Sequence, residues 1–371
     1  MSRLVRVGAG GEEIGWHEAL KDLRADDVLL LEPGFYELPQ GITLCDVTIK
    51  GSGSLPEDTT ILGYVDVAID SRYVTLENLC INTNNERNSL YVPPEADSYL
   101  SLRNCLIKGY GSDTATIALN GKVTLELYSV KILAGSVSVY QNANFRLEVN
   151  DSVLANPSDE YCALALEGKG TAIINNSQVH GSIDTFAATN AELDLNNSVV
   201  DYLLLYGQTW LNMLNSEVLA KDDASLYIGD ECWINIINCK FNGGIYTDKQ
   251  PHIILQNIVC DRLVGVGDSQ LTVINSVIMA HADFQDNAVC SVRRTTFNSD
   301  GSYQYFLALS NHARLDGHDL ILNANGTDMA VQDDARLEMH VLESEGDHLR
   351  VECQQKPNVH ILGAKWTIIN K

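Results

Sequence analysis

Chemistry in a chain of this kind is signalled by clustered carboxylates, by histidines at metal-ligand spacing, or by a nucleophile beside its base. The 371 residues offer such groupings sparsely. His312 and His318 fall close to Asp316 and Asp319, the best local set for exchanging protons near neutral pH. The remaining histidines, His17, His180, His252, His281, His340, His348 and His360, are dispersed. Neither an HxH nor an HExxH spacing occurs, so no metal ligand set is expected. The doublets Asp222-Asp223 and Asp333-Asp334 have the ligand chemistry of calcium loops without their spacing, and read first as solvated turns. Gly8-Ala9-Gly10-Gly11 lacks the spacing of a phosphate-cradling turn, and no cofactor is expected.

Any site must therefore be positioned by the repeat that fills the chain. Leu271-Thr272-Val273-Ile274-Asn275-Ser276-Val277-Ile278 has the same grammar as Leu193-Asp194-Leu195-Asn196-Asn197-Ser198-Val199-Val200 and Ile234-Asn235-Ile236-Ile237-Asn238-Cys239-Lys240-Phe241. An alternating apolar pair leads to Asn, two tolerant positions and another apolar residue. Anchored on the Asn slot, the copies fall at Asn78, Asn104, Leu127, Val149, Asn176, Asn197, Asn215, Asn238, Asn257, Asn275, Arg294, Gly317, Met339 and Gly363. The step averages about 22 residues, which suits three short strands per turn of a solenoid of about fourteen coils. Alternate residues point inward, so Leu271 and Val273 fill the core, and Asn tolerates the left-handed backbone of a sharp corner. Stacked coils are close enough for successive Asn amides to form a ladder.

The first forty residues read differently. Val5-Arg6-Val7 is a short strand, and Glu12–Arg24 carries Ile14, Trp16, Ala19, Leu20 and Leu23 at helical spacing. Asp26-Asp27-Val28-Leu29-Leu30-Leu31-Glu32-Pro33-Gly34-Phe35-Tyr36 is a buried strand and a Pro-Gly turn, followed by Val47-Thr48-Ile49-Lys50-Gly51-Ser52-Gly53 and Thr60-Ile61-Leu62-Gly63. This succession resembles the opening of pectin lyase-like right-handed parallel β-helix proteins. The resemblance implies an all-β, right-handed parallel β-helix, with residues 1–40 as an N-terminal cap bearing an amphipathic capping helix and residues 41–371 as the solenoid. It does not imply one activity, because that superfamily includes lyases, hydrolases, epimerases, adhesins and inert scaffolds.

In its pectate lyases and polygalacturonases, the resemblance further implies, the catalytic groove lies on the strand after the variable connection of each coil. With Ile117/Leu119, Val137/Val139, Leu203/Leu205 and Leu226/Ile228 inward, the outward residues there include Tyr140, Asp184, Phe186, Tyr202, Tyr206, Tyr227, Tyr246, Arg262, Asp283 and Phe306. Glycoside hydrolysis needs paired carboxylates on neighbouring rungs, and none is read there. Asp184 stands alone among aromatic residues, and Asp283 beside Arg262 reads as a surface ion pair. The aromatic residues form a strip with hydroxyl handles. It fits a surface that stacks on sugar rings, a protein–protein or self-association surface, or a strip covered by a connection or misread by one residue.

Composition narrows the partners. Against 25 Lys and Arg stand 49 Asp and Glu, a net charge of −24, so neither nucleic acid nor membrane is an expected partner. The nine Cys form no CxxC pair; Cys80, Cys162, Cys260 and Cys290 sit in strand patterns as small hydrophobes, which fits a reducing, cytoplasmic setting. Val359–Gly363 and Trp366–Lys371 continue the strand pattern, an open end that a partner subunit could cover. The expectation is a non-catalytic binding or scaffold protein for a glycan or a protein, able to self-associate through its C-terminal end or aromatic face. The alternative is a carbohydrate-active enzyme, polysaccharide lyase, glycoside hydrolase or epimerase.

Overall fold

A computed structural model describes residues 3–8, 15–84, 86–158, 160–220, 222–345, 349–353 and 358–369. The glycine turn at 9–11, the expected helix start at 12–14 and His348 lie outside them. Among the described residues no helix is long and apolar enough to cross a membrane. The chain divides into two compact units, residues 1–194 with 198–200, and residues 195–197 with 201–371.

Each unit is a parallel β-solenoid with three faces. In the first unit, the first face stacks Val28–Leu31, Val47–Gly51, Tyr73–Glu77, Asp97–Arg103, Lys122–Tyr128, Asn144–Asn150 and Lys169–Asn175 in parallel register. The second stacks Cys80–Asn82, Leu106–Lys108, Lys131–Leu133 and Val153–Ala155. The third stacks Leu90–Val92, Ala115–Leu119, Ser136–Val139 and Leu164–Leu166. The second unit repeats the plan; its first face runs through Gln208–Leu214, Trp233–Ile237, His252–Gln256, Gln270–Ile274 and Val289–Arg293. Inward residues such as Leu193, Leu195, Leu271 and Val273 are at most 2% exposed, as the period-2 pattern requires.

The corners explain the Asn slot. Asn78, Asn104, Asn176, Asn197, Asn215, Asn238, Asn257 and Asn275 have φ between 49° and 56°. That region is costly for most L-residues, and Asn tolerates it. The ladder exists in runs. Asn104 Nδ2 donates to Asn78 Oδ1 at 2.7 Å, and Asn257 to Asn238 Oδ1 at 2.9 Å. Where Asn is missing, Arg294 is a corner as expected, with a φ of 48°, but three other anchors need correction. The corner residues are Ser129, Asp151 and Asp319, two positions after Leu127, Val149 and Gly317, which lie in the preceding strand instead. The shift is even, so inward and outward sides are preserved. Earlier corners at Asp26 and Asp46 were hidden because neither carries Asn.

The position after the corner is not tolerant. Leu79, Cys105, Val130, Ser152, Ser177, Ser198, Ser216, Cys239, Ile258 and Ser276 are all at most 5% exposed. Where it is Ser, its hydroxyl accepts the backbone N–H of the previous coil: Ser152 from Val130 at 3.0 Å, Ser177 from Ser152 at 3.1 Å, Ser276 from Ile258 at 3.2 Å. A buried amide near each corner is thereby satisfied.

At the N-terminal end Leu4–Val7 pairs with Val28–Leu31, and a helix spans Trp16–Lys21, shorter than the expected Glu12–Arg24. Its end is set by Arg3, which draws Asp22 out at 2.7 Å and Asp27 at 2.6 Å. Trp16 packs edge-on against Tyr36, with ring centroids 5.2 Å apart.

Candidate functional site

The third face carries the candidate residues. In the first unit the expected inward pairs hold: Ile117, Leu119, Val137 and Val139 are at most 1% exposed. Asp184 lies opposite Ala165, itself opposite Ser138. Tyr140 and Phe186 are not on strands. They occupy the corner just after Ser136–Val139 and Gln178–Thr185, 40% and 38% exposed. Glu167 takes the same corner on the coil between them, following Leu166 in register, so a charge interrupts the expected continuous aromatic strip. Ala118, between the inward Ile117 and Leu119, and Ala165, between the inward Leu164 and Leu166, are only 1% and 7% exposed. Asn156 ties the neighbouring connections, its amide donating to the carbonyls of Ser112 and Cys162, both at 2.9 Å. The strand rungs of this part of the face are therefore covered, while Tyr140 and Phe186 at its corner stay exposed.

In the second unit the aromatic residues form a row of half-buried rings. Leu204, Tyr227 and Tyr246 stand directly opposite one another on successive rungs, with Leu203, Leu205, Leu226 and Ile228 buried beneath. Tyr206 sits in the corner after Leu205, its ring tilted against Tyr227 with centroids 5.8 Å apart. Glycines seat the rings. A methyl group on Gly229 would lie 2.7 Å from the Tyr206 ring, and one on Gly244 2.6 Å from that of Tyr246. The Tyr227 hydroxyl reaches Asp248 at 3.4 Å, and burial followed by that carboxylate's charge pushes its pKa above the ordinary tyrosine value. Burial raises the Tyr246 hydroxyl likewise. Tyr202 is half-buried on Val199–Leu205, the strand that supplies Leu204 to this row.

Arg262 closes the end of the row, in a setting the sequence did not indicate. Its guanidinium lies 5.7 Å from the Tyr246 ring and 5.9 Å from that of Tyr303. It donates to the Tyr303 hydroxyl at 2.9 Å and the Asp223 carbonyl at 2.7 Å, and pairs with the Asp223 carboxylate at 3.4 Å. His281 stacks on Tyr303 at 4.7 Å and hydrogen-bonds the Tyr305 carbonyl at 2.8 Å. The expected Arg262–Asp283 pair is not formed. A bulge between Cys260 and Arg262 sets Arg262 opposite His281 and Asp283 opposite Val264, and Gln285 donates to Asp283 at 2.6 Å. Phe306 also departs from expectation. The bulge between Tyr305 and Leu307 turns it inward, 1% exposed, and leaves Tyr305 outward, donating to Glu352 at 2.7 Å.

No family model matches the sequence, and no curated protein does. Among solved structures, one described as "a new PL6 alginate lyase complex with trisaccharide" aligns over 99% of this chain and 85% of its own, at 10% identity and a TM-score of 0.23. A likeness that low carries no argument about fold or activity.

Tyr303, His281 and Asp223 are the members of this set that sequence reasoning missed. Tyr303 comes from a connection 41 residues beyond Arg262, where no period applies. His281 could have been found by tracking the register coil by coil through the bulge. The histidine grouping also rearranges: His318 contacts Asp316 at 3.3 Å, but Asp319 meets His340 at 3.3 Å and His312 meets Asp334 at 3.8 Å, all on exposed surface. Among the described residues no group of three or more His, Cys, Asp or Glu is placed to hold a metal ion.

Proposed function

We propose that this chain is a non-catalytic β-solenoid binding protein that holds an uncharged glycan on the third face of its second unit. The observation that carries the reading is the seated tyrosine row, Tyr206, Tyr227 and Tyr246, with Arg262 immobilised at its end. Aromatic faces bordered by hydroxyls and carboxylates suit a sugar ring, which presents an apolar face and a rim of hydroxyls. Asp223 offsets the arginine's charge, and Asp248 leaves the surround acidic, which disfavours polyuronates. Three half-buried rings offer at most about 300 Å², well below the about 800 Å² per partner of a stable protein interface. The right-handed winding and pectin lyase-like kinship expected from the sequence belong to this reading.

The test is a glycan array of neutral and acidic oligosaccharides probed with the full chain and with Tyr206→Ala and Tyr227→Ala variants. Neutral glycans retained by the wild type and lost by both variants are expected. Retention of polyuronates alone, or cleavage of any bound glycan, would overturn the reading in favour of a carbohydrate-active enzyme. A glycan signal indifferent to both substitutions would remove the tyrosine row from it.

A further inference from the structure

Away from the tyrosine row, the first face of the second unit places two arginines in direct opposition. The parallel register sets Arg314 opposite Arg336, with Val289 before them on the same row. Neighbouring strands lie about 4.8 Å apart, and like charges directly opposite repel. Arg3, Arg24, Arg72, Arg103, Arg146, Arg262 and Arg350 each have a carboxylate within 4.0 Å, whereas Arg6, Arg87, Arg293 and Arg294 have no ion pair among the described residues but do not face a second arginine across the register. Among the described residues neither Arg314 nor Arg336 has an ion pair or a side-chain hydrogen bond, in a chain where acids outnumber bases 49 to 25. Of the carboxylates close by, Asp334 contacts His312 at 3.8 Å, Asp316 contacts His318 at 3.3 Å, and Glu338 stands opposite Asp316 in the register. The two guanidiniums line a groove of about 500 Å³ together with Asn287, His312, Asp334 and Asn358.

The corners behind this groove share a pattern, Asp286-Asn287-Ala288-Val289, Asn311-His312-Ala313-Arg314 and Asp333-Asp334-Ala335-Arg336. The buried Ala fixes each turn, so the residue after it emerges at the same place on successive coils. Two planar forks on adjacent rungs line the same groove. A carboxylate is satisfied by one fork, whereas a tetrahedral oxyanion has oxygens for both and a charge that matches two cations.

We propose that Arg314 and Arg336 bind a tetrahedral oxyanion, the sulfate or phosphate group of a small ligand, which relieves their mutual repulsion. The site is separate from the tyrosine row and does not depend on it.

The test is isothermal titration of the full chain with sodium sulfate and sodium phosphate, with sodium acetate at matched ionic strength as the reference. Saturable binding of either tetrahedral anion, tighter than acetate, is expected. Arg314→Gln and Arg336→Gln should each weaken it about ten-fold, as loss of a charge-assisted contact does. Arg314→Lys, which keeps charge but not the fork, should bind less tightly than wild type and also serves should Arg314→Gln fold poorly. Arg146→Gln and Tyr227→Ala should bind as wild type does. A sulfated monosaccharide titrated beside a sugar phosphate then distinguishes the two sources, and preference for either supports the site. Sulfate and phosphate binding no tighter than acetate, or binding unchanged in Arg314→Gln/Arg336→Gln, would overturn the proposal.

Discussion

At the scale of single residues, burial decides reactivity. Cys80, Cys105, Cys232, Cys239, Cys260, Cys290 and Cys353 are free and buried, whereas Cys45 and Cys162 are partly exposed. Burial pushes the Cys105 and Cys232 thiols up to about 12, and those of Cys260 and Cys290 higher still. Burial also raises Cys45, and burial with the Asp184 charge pushes Cys162 up to about 12. A thiol reagent at pH 8 should therefore modify the partly exposed Cys45 first, Cys162 slowly, and the remaining seven only after unfolding, which mass spectrometry of the labelled peptides would read. Asp46, 5% exposed at a corner, behaves differently. Burial opposes its charge most, but hydrogen bonds from the Arg72 side chain and from the Arg72 and Tyr73 amides outweigh it and lower the pKa. A carboxyl lowered on folding adds stability above its unfolded pKa and loses it as pH falls through the folded value. Arg72→Gln should thus lower the Tm at pH 7, and its difference from wild type should shrink in thermal melts below about pH 4.

At the scale of elements, the corner and its following residue do most to define the coil. Asn238 combines a φ of 56° with two ladder contacts, donating to Asn215 at 3.2 Å and accepting from Asn257 at 2.9 Å. Asn238→Ala should cost about 1–3 kcal/mol in denaturant unfolding, whereas Asn238→Gly, which keeps the backbone at ease, should cost less. Gly229→Ala is predicted to act on function instead, by displacing Tyr206 from its seat and weakening glycan binding more than stability. These elements also show what the sequence made legible. The Asn grammar located eight corners and the alternation of Leu193/Leu195 and Leu271/Val273 identified the core, because both are properties of one coil. Ser129, Asp151 and Asp319 escaped because the turn needs a conformation rather than a residue type. The Arg262–Asp283 pair and the outward Phe306 were misread because a bulge changes register with no mark in the local sequence, whereas Asp283 itself keeps its outward place opposite Val264.

At the scale of the whole chain, two properties stand out, its charge and its repetition. A net charge of −24 repels itself, and salt screens that repulsion as the Debye length falls from about 30 Å at 0.01 M to about 3 Å at 1 M. The Tm should accordingly rise with sodium chloride, in contrast to a protein held by surface ion pairs. Repetition made the solenoid readable from sequence, yet it also obscured the candidate site. Arg262 meets Tyr303 and Asp223 through connections, where the repeat is silent. The tyrosine row itself was legible because Tyr227 and Tyr246 occupy equivalent slots of successive coils. The central claim is that this row binds an uncharged glycan, and the most direct test is isothermal titration of the best neutral array ligand into wild type and Tyr206→Ala/Tyr227→Ala. The account predicts saturable binding to the wild type, weakened at least about ten-fold in the folded double variant. Equal affinity in the two proteins would contradict it.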